Sequence, residues 1–127
     1  MISFDSFHAV DGTPIYLQMI KHIKRGLAAG VILNGDELPS RRLLSATLAV
    51  NPNTVQKAYR LMEDEGLIVS RPGSGSVISA SKEQIAAIKN ELYREELQGA
   101  VLAMKHMGLS LEDAVNLMKQ LYEEEEK

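Results

Sequence analysis

The chain has 127 residues, about the length of one ordinary domain, which excludes a large multidomain enzyme. Apolar residues make up 45% and charged residues 24%, as in soluble globular proteins, and no apolar run approaches the roughly 18 residues of a membrane span. There is no cysteine, which excludes disulfides, thiolate zinc sites and cysteine nucleophiles. We therefore expect a cytoplasmic protein without a membrane partner.

Residues typical of catalytic and metal sites are scarce. The three histidines, His8, His22 and His106, have no spacing typical of a metal site. The sequence contains no Walker loop, no HExxH and no GxSxG motif. No nucleophile with its base can be named either, so we expect a protein that is not an enzyme and has neither cofactor nor metal.

The net charge of −3 is unevenly distributed. Residues 1–80 carry eight basic and seven acidic side chains, whereas residues 81–127 carry six basic and ten acidic ones. Between Leu38 and Met62 there are four basic residues and no acidic one. A positive face is therefore available to a nucleic acid despite the negative total.

A first helix is predicted after Gly12. Thr13 is expected to cap this helix, and Pro14 suits its first position. Apolar residues then recur every four positions, and Gly30 is a suitable left-handed stop. The residues of this apolar stripe are Ile15, Met19, Ile23 and Leu27.

Two further helices are predicted in succession. Ser40 can cap a short one that stops near Ala49 and Val50. Asn51 offers the next cap, Pro52 suits the first helical position, and a third helix then runs to about Glu65. Its apolar side is Val55, Ala58, Tyr59 and Met62, and its outer face is Asn53, Thr54, Gln56, Lys57 and Arg60. Such polar side chains suit base edges and phosphates.

After Gly66 the pattern changes from helix to strand. Two β-rich runs, LIVSR and SVISA, flank the turn sequence PGSG and predict a hairpin. Three helices followed by a hairpin is the order of a winged helix-turn-helix, in which the third helix enters the major groove. We expect this mainly α domain, with its small β-hairpin, to cover residues 1–80.

Residues 81–127 predict two helices separated by Gly108, the second capped by Ser110. Their apolar faces need a cover, and the simplest cover is a second copy of the chain. The methionines at 104, 107 and 118 could line a ligand pocket, but Met at helical spacing is more often adaptable core. We expect a two-helix dimerisation region whose contact residues are Leu97, Val101, Met104, Leu111, Val115, Met118, Leu121 and Tyr122.

The stretch LPSRRLLSATLAVNPNTVQKAYRLMEDEGLIVSRPGSGSV, residues 38–77, resembles the DNA-binding domain of the GntR family of bacterial transcription regulators. The sequence VNPNTV and the short C-terminal part resemble the YtrA-like branch. Members of that branch pair through two C-terminal helices, lack a large effector domain and often regulate transporter operons, frequently their own; repression is what the resemblance implies for this chain. The resemblance implies a homodimer bound to a two-fold-related DNA operator, with a small-molecule effector possible but unidentified.

Carried over by position, the family's DNA contacts fall on Ser40, Arg42, Asn51, Asn53, Thr54, Gln56, Lys57, Arg71, Ser74 and Gly75. Many members of the family have Arg where this chain has Pro52 and Gln56, so their base preferences are not carried over. The wing also differs, because it reads Gly-Ser-Val where Gly-Thr-Phe is common.

Within this set, Thr54 and Lys57 suit phosphates, whereas Gln56 or Asn53 suits the adenine edge. Asn51 could act only as a helix cap, and Arg41 is left open between a solvated residue and a DNA ligand. The alternative function is a winged-helix module that docks proteins and does not bind DNA. Such a module has no need of the basic set Arg42, Lys57, Arg60 and Arg71.

Overall fold

A computed structural model describes residues 1–73 and 75–126 of the chain. The order is three helices, a two-stranded antiparallel hairpin and two helices, which confirms the predicted mainly α fold class. The elements are α1 (Ile15–Ala28), α2 (Arg41–Leu48), α3 (Pro52–Asp64), β1 (Ile68–Arg71), β2 (Gly75–Ile78), α4 (Lys82–His106) and α5 (Leu111–Glu125).

The chain forms two compact units, Met1–Lys89 and Asn90–Lys127. The first unit therefore extends past Ala80, where the sequence predicts the domain boundary. The start of α4 belongs to this unit: Ile88 is buried, and the Gln84 amide donates a 2.9 Å hydrogen bond to the Glu65 carbonyl oxygen. The first turns of α4 are thus anchored to the end of α3.

The core of the first unit is built where α3 packs against α1 and α2. The predicted apolar stripes supply it, because residues three or four apart lie on one side of a helix. Ile15 is the exception, since it is only half-buried. The largest fully buried side chains are Tyr59, Met19, Ile23, Leu44, Met62, Ile78 and Val55.

The start of α1 differs from the prediction. Pro14 takes the N-cap position, and no side chain caps this helix, so the expected Thr13 cap is wrong. The side chain of Gln18, in the first turn of the helix, instead holds the backbone of the residues that precede α1. Its amide accepts from the Val10 N–H at 2.9 Å and donates to the Val10 and Thr13 carbonyl oxygens at 2.9 and 2.7 Å.

The first residues of the chain also pack on α1, which the sequence pattern does not predict. The Ile2 N–H donates a 2.7 Å hydrogen bond to the Glu37 carbonyl oxygen, and Ile2 and Phe4 are buried. The Phe4 ring lies 4.6 Å from the His22 ring, centroid to centroid. This segment therefore belongs to the first unit.

The hairpin pairs Ile68 with Ile78 and Arg71 with Gly75. Gly75 is therefore part of β2, whereas the sequence places it in the turn. Gly73 and Gly75 have φ of 79° and 70°, and an added Cβ would meet no atom within 4 Å at either position. Glycine is required there by its backbone conformation and not by lack of space.

In the second unit, Gly108 (φ 78°) follows α4, and the Ser110 hydroxyl accepts a 3.2 Å hydrogen bond from the Asp113 N–H at the start of α5. Both features match the sequence prediction. Among the helices of the described part of the chain, none is long and apolar enough to cross a membrane.

Candidate nucleic-acid interface

Local hydrogen bonds hold the start of α2 and the turn between α2 and α3. Ser40 caps α2 by accepting from the Leu43 N–H at 3.1 Å, and Asn51 caps α3 by accepting from the Asn53 N–H at 2.8 Å. The Ser45 hydroxyl donates to the Val50 carbonyl oxygen at 2.7 Å. Ala49 adopts a left-handed conformation with φ 55°, which reverses the chain. Both predicted caps are confirmed: Ser40 fixes where α2 begins, and Asn51 fixes where α3 begins.

The two adjacent arginines at the start of α2 have different environments. Arg41 Nη2 lies 2.8 Å from Glu63 Oε1 of α3, and the Arg41 guanidinium carbon lies 5.0 Å from the centre of the Tyr59 ring. Arg42 is exposed and makes neither a hydrogen bond nor an ion pair with the residues that the structure describes. Arg41 therefore joins α2 to α3, and Arg42 is the arginine available to a ligand.

Tyr59 and Glu63 extend this contact to the hairpin. The buried Tyr59 hydroxyl donates a 2.5 Å hydrogen bond to the Pro39 carbonyl oxygen just before α2. Glu63 also accepts a 3.2 Å hydrogen bond from the Ser70 hydroxyl of β1. Four side chains, those of Arg41, Tyr59, Glu63 and Ser70, thus form one cluster that connects α2, α3 and the hairpin. These contacts hold the three elements in fixed positions relative to one another.

Replacing Tyr59 by Phe is expected to lower the free energy of unfolding at pH 7 by about 1 kcal/mol, because the Pro39 carbonyl loses its donor. Burial raises the pKa of Tyr59 well above its usual value, and the Arg41 charge opposes part of that rise. A phenol with a raised folded-state pKa loses its contribution as the pH rises above its unfolded value of about 10. The difference between wild type and variant should therefore shrink above pH 10.

Urea denaturation at pH 7 and at pH 11 measures this difference. Tyr122→Phe is the control, since Tyr122 is exposed and its change should have little effect at either pH. A Tyr59→Phe difference that stays constant across this range would contradict the role assigned to burial.

The outer face of α3 carries polar side chains turned to solvent. Asn53, Gln56 and Arg60 are exposed, and within the described residues their side chains have no hydrogen-bond or ion-pair partner. Thr54 is half-buried beside them. Lys57 is exposed as well, but its Nζ lies 4.1 Å from the centre of the Tyr16 ring of α1. This face, Asn53, Thr54, Gln56, Lys57 and Arg60, is called the α3 face below.

The wing contributes fewer of the predicted contacts. Arg71 is exposed at the end of β1 and pairs through its backbone with Gly75. Ser74, also predicted to contact DNA, lies outside the described residues. An exposed arginine beside a glycine-containing tip suits close approach to a phosphate backbone.

The chemistry of this surface is that of a polyanion site. Arg42, Arg60 and Arg71 are exposed cations without acidic partners among the described side chains, and Asn53 and Gln56 supply amides that can pair with base edges. Within residues 1–73 and 75–126, no group of His, Asp and Glu side chains is arranged to hold a metal ion.

The predicted contact residues of the second unit lie on α4 (Leu97, Val101, Met104) and α5 (Leu111, Val115, Met118, Leu121, Tyr122). All are exposed apart from the half-buried Met104, and the exposed fraction reaches 81% at Leu111 and 70% at Tyr122. The eight residues are called the apolar seam below. Met107 and Met118 are exposed, so within a single chain these two methionines form neither the expected core nor a ligand pocket.

Sequence reasoning leaves the role of Arg41 open and does not foresee the contact between Tyr16 and Lys57. Tyr16 only widens the apolar stripe of α1 in the sequence pattern. Its position one residue from Ile15, at the edge of that stripe, is compatible with contact to a neighbouring helix but does not identify the partner.

Comparison with known proteins shows the family to which the first unit belongs. The family model described as bacterial regulatory proteins, gntR family, matches residues 15–78, which include α1, the helix-turn-helix and the hairpin. The uncharacterized HTH-type transcriptional regulator YhcF of Bacillus subtilis is 39% identical over 110 residues, covering 87% of this chain and 91% of YhcF.

Two further similar proteins agree. The HTH-type transcriptional repressor YtrA of Bacillus subtilis is 36% identical over 110 residues, covering 86% of this chain and 85% of YtrA. The solved structure of a GntR family transcriptional regulator from Listeria monocytogenes superposes with a TM-score of 0.76 at 28% identity, covering 88% of this chain and 98% of that one. The similarity therefore extends beyond the helix-turn-helix into the C-terminal helices.

Proposed function

Since this chain belongs to the gntR family of bacterial regulatory proteins, we propose that it is a repressor that binds a two-fold-related operator as a homodimer. Membership makes it a DNA-binding transcription regulator and not an enzyme, which sets aside the alternative of a protein-docking module. The resemblance to YtrA-like regulators is likewise confirmed by the similarity to YtrA over most of both chains.

The α3 face is the observation that carries the proposal. It has two amide side chains, Asn53 and Gln56, that lack partners among the described residues, beside the exposed Arg60 and Lys57. The cap at Asn51 sets where the helix begins. A recognition helix reads bases with residues near its N-terminal end, and Asn53 and Gln56 lie in that part of α3. We assign base contact to these two residues and phosphate contact to Thr54 and Lys57.

Further phosphate contacts are assigned to the other residues that the family resemblance predicts to contact DNA. They fall on Ser40, Arg42, Asn51, Arg71, Ser74 and Gly75. Arg42 and Arg71 bring full charges, and Asn51 retains an amide NH₂ group after its side-chain oxygen has capped α3. Contacts of this kind hold the helix in register on the duplex without reading sequence.

Dimerisation through the apolar seam follows from its exposure. Monomeric soluble proteins rarely leave large contiguous apolar patches uncovered. Shallow grooves lined by residues of the apolar seam lie along both helices, one beside Leu97 and Val101 on α4 and the other beside Val115, Met118 and Tyr122 on α5. A two-fold axis brings the same surface of both copies together, so these apolar grooves can be covered by the matching surface of a second copy.

The regulated genes are proposed from the resemblance. The similarity to a repressor, together with the targets that are common in the YtrA-like branch, supports a transporter operon as the regulated target. We propose that this operon includes the gene for this chain. Its operator is chromosomal DNA, and so the proposed function places the protein in the cytoplasm.

Replacing either base-reading residue tests the sequence specificity. Gln56→Ala and Asn53→Ala should each cost about 1–3 kcal/mol of binding on the preferred duplex and little on random DNA, because a base-edge hydrogen bond is lost. Selection of duplexes from a randomised pool by wild type and by each variant shows whether the preference changes at defined positions. The same selected sequence from all three proteins would contradict the assignment of base contact to these residues.

A further inference from the structure

We propose that Tyr16 is a positioning residue for DNA binding, whose ring holds the ammonium group of Lys57 ready for a phosphate. The proposal rests on the proposed function, because it takes Lys57 as a phosphate contact of the α3 face. The observation behind it is the 4.1 Å separation between Lys57 Nζ and the centre of the Tyr16 ring.

Tyr16 lies on a helix that packs against α3. Tyr16 is the second residue of α1 and is half-buried, and α1 packs directly against α3. The buried Met19 and Ile20 follow it in the same helix. The ring therefore has a defined position before any DNA arrives, and it contacts a side chain that is itself exposed.

A ring contact differs from an ion pair in a way that matters for DNA binding. Lys24 of the same unit lies 3.4 Å from Glu65, which partly neutralises its charge. Lys57 has no carboxylate partner among the described residues. An aromatic face attracts a cation without cancelling its charge, so Lys57 retains its full ability to displace a counterion from a phosphate.

The expected direction of the effect follows from side-chain entropy. A free lysine has many rotamers and loses most of them when it binds a phosphate. Contact with the ring restricts Lys57 in the free protein, so less entropy remains to be lost on binding. An ammonium group has three N–H donors, and those turned away from the ring stay available. Tyr16 should therefore strengthen binding.

A double-mutant cycle tests the proposal. The proteins are wild type, Tyr16→Leu, Lys57→Met and the double variant, with Tyr16→Phe as the matched control that keeps the ring. The probes are a duplex selected by the wild-type protein from a randomised pool and a random duplex of equal length. Fluorescence anisotropy over a series of salt concentrations gives the affinity and its salt slope, and thermal melting verifies that each variant is folded.

Tyr16→Leu should bind about threefold more weakly, the scale of the entropy lost when one lysine side chain is immobilised, with an unchanged salt slope because the charge of Lys57 remains. Tyr16→Phe should bind like wild type. Lys57→Met should bind more weakly and flatten the slope by about one unit for each phosphate contact removed. In the protein that already carries Lys57→Met, the change Tyr16→Leu should have no further effect.

Three results would overturn the role of Tyr16. These are an equal loss from Tyr16→Leu in both backgrounds, tighter binding by Tyr16→Leu, or no change on Lys57→Met. Failure of the proposed function has a different signature, namely a wild-type protein with no preference for the selected duplex over the random one. In that case the double-mutant cycle measured with the random duplex still tests the role of Tyr16, because phosphate contacts form with DNA of any sequence.

Discussion

Replacing Leu121 by Glu is expected to convert the proposed dimer into monomers and to lower operator affinity by about 10²-fold or more. Leu121 is 51% exposed in the apolar seam, and a carboxylate there would have to lose its water in the assembled interface. In a dimer, binding of one recognition helix raises the effective concentration of the other at the second half-site, and this increases the affinity. Monomers lose that increase. Met118→Lys should act in the same way.

Sedimentation equilibrium and footprinting on full and half operators measure these two effects together. Gln120→Glu is the matched control, because it adds a charge to the same helix on the side opposite to Leu111, Met118 and Tyr122. The control should remain dimeric, and the seam variants should keep weak binding to a half operator. Seam variants that bind the full operator like wild type would contradict dimerisation through α4 and α5.

Replacing Arg42 by Ala is expected to weaken DNA binding about tenfold per chain and to leave the free energy of unfolding unchanged. A charge-assisted contact to phosphate is worth about 1.5–3 kcal/mol, and Arg42 has no partner in the described part of the chain whose loss would destabilise the fold. Anisotropy titration should also show a flatter salt slope, because one charge fewer displaces counterions.

Arg41→Ala is the matched comparison one residue earlier. Its main effect should be a decrease of about 1 kcal/mol in the free energy of unfolding, since the Glu63 pair and the Tyr59 contact are lost. The decrease is limited because the pair is partly exposed and the buried Arg41 Nε has no hydrogen-bond partner within the described residues. If Arg41→Ala weakened binding as much as Arg42→Ala without affecting stability, the division of roles would be wrong.

The helix starts and stops could be predicted because their causes are local. Ser40 and Asn51 cap with an oxygen that reaches an N–H two or three residues away, and Gly66 and Gly108 adopt the left-handed conformations expected after a helix. The residues of the α3 face could be predicted from helical periodicity, since the apolar side of α3 fixes which of its residues point outward.

The features that could not be predicted depend on residues far apart in the chain. Arg41 and Arg42 are alike in sequence, and only the position of Glu63 on the next helix distinguishes them. The first residues of the chain show no helical or strand periodicity. Their position is set by the hydrogen bond from the Ile2 N–H to the Glu37 carbonyl oxygen and by the contact between the Phe4 and His22 rings. The Thr13 cap failed for a related reason: Gln18 orders the backbone before α1 instead.

The most direct test of the central claim is the stoichiometry of the chain on its selected duplex. Native mass spectrometry of the complex, combined with hydroxyl-radical footprinting of the same duplex, counts the chains and locates the protected segments. The proposed function predicts two chains per duplex and two protected half-sites related by a two-fold axis, about one helical turn or a multiple of it apart. A single chain bound to a single protected segment would contradict it.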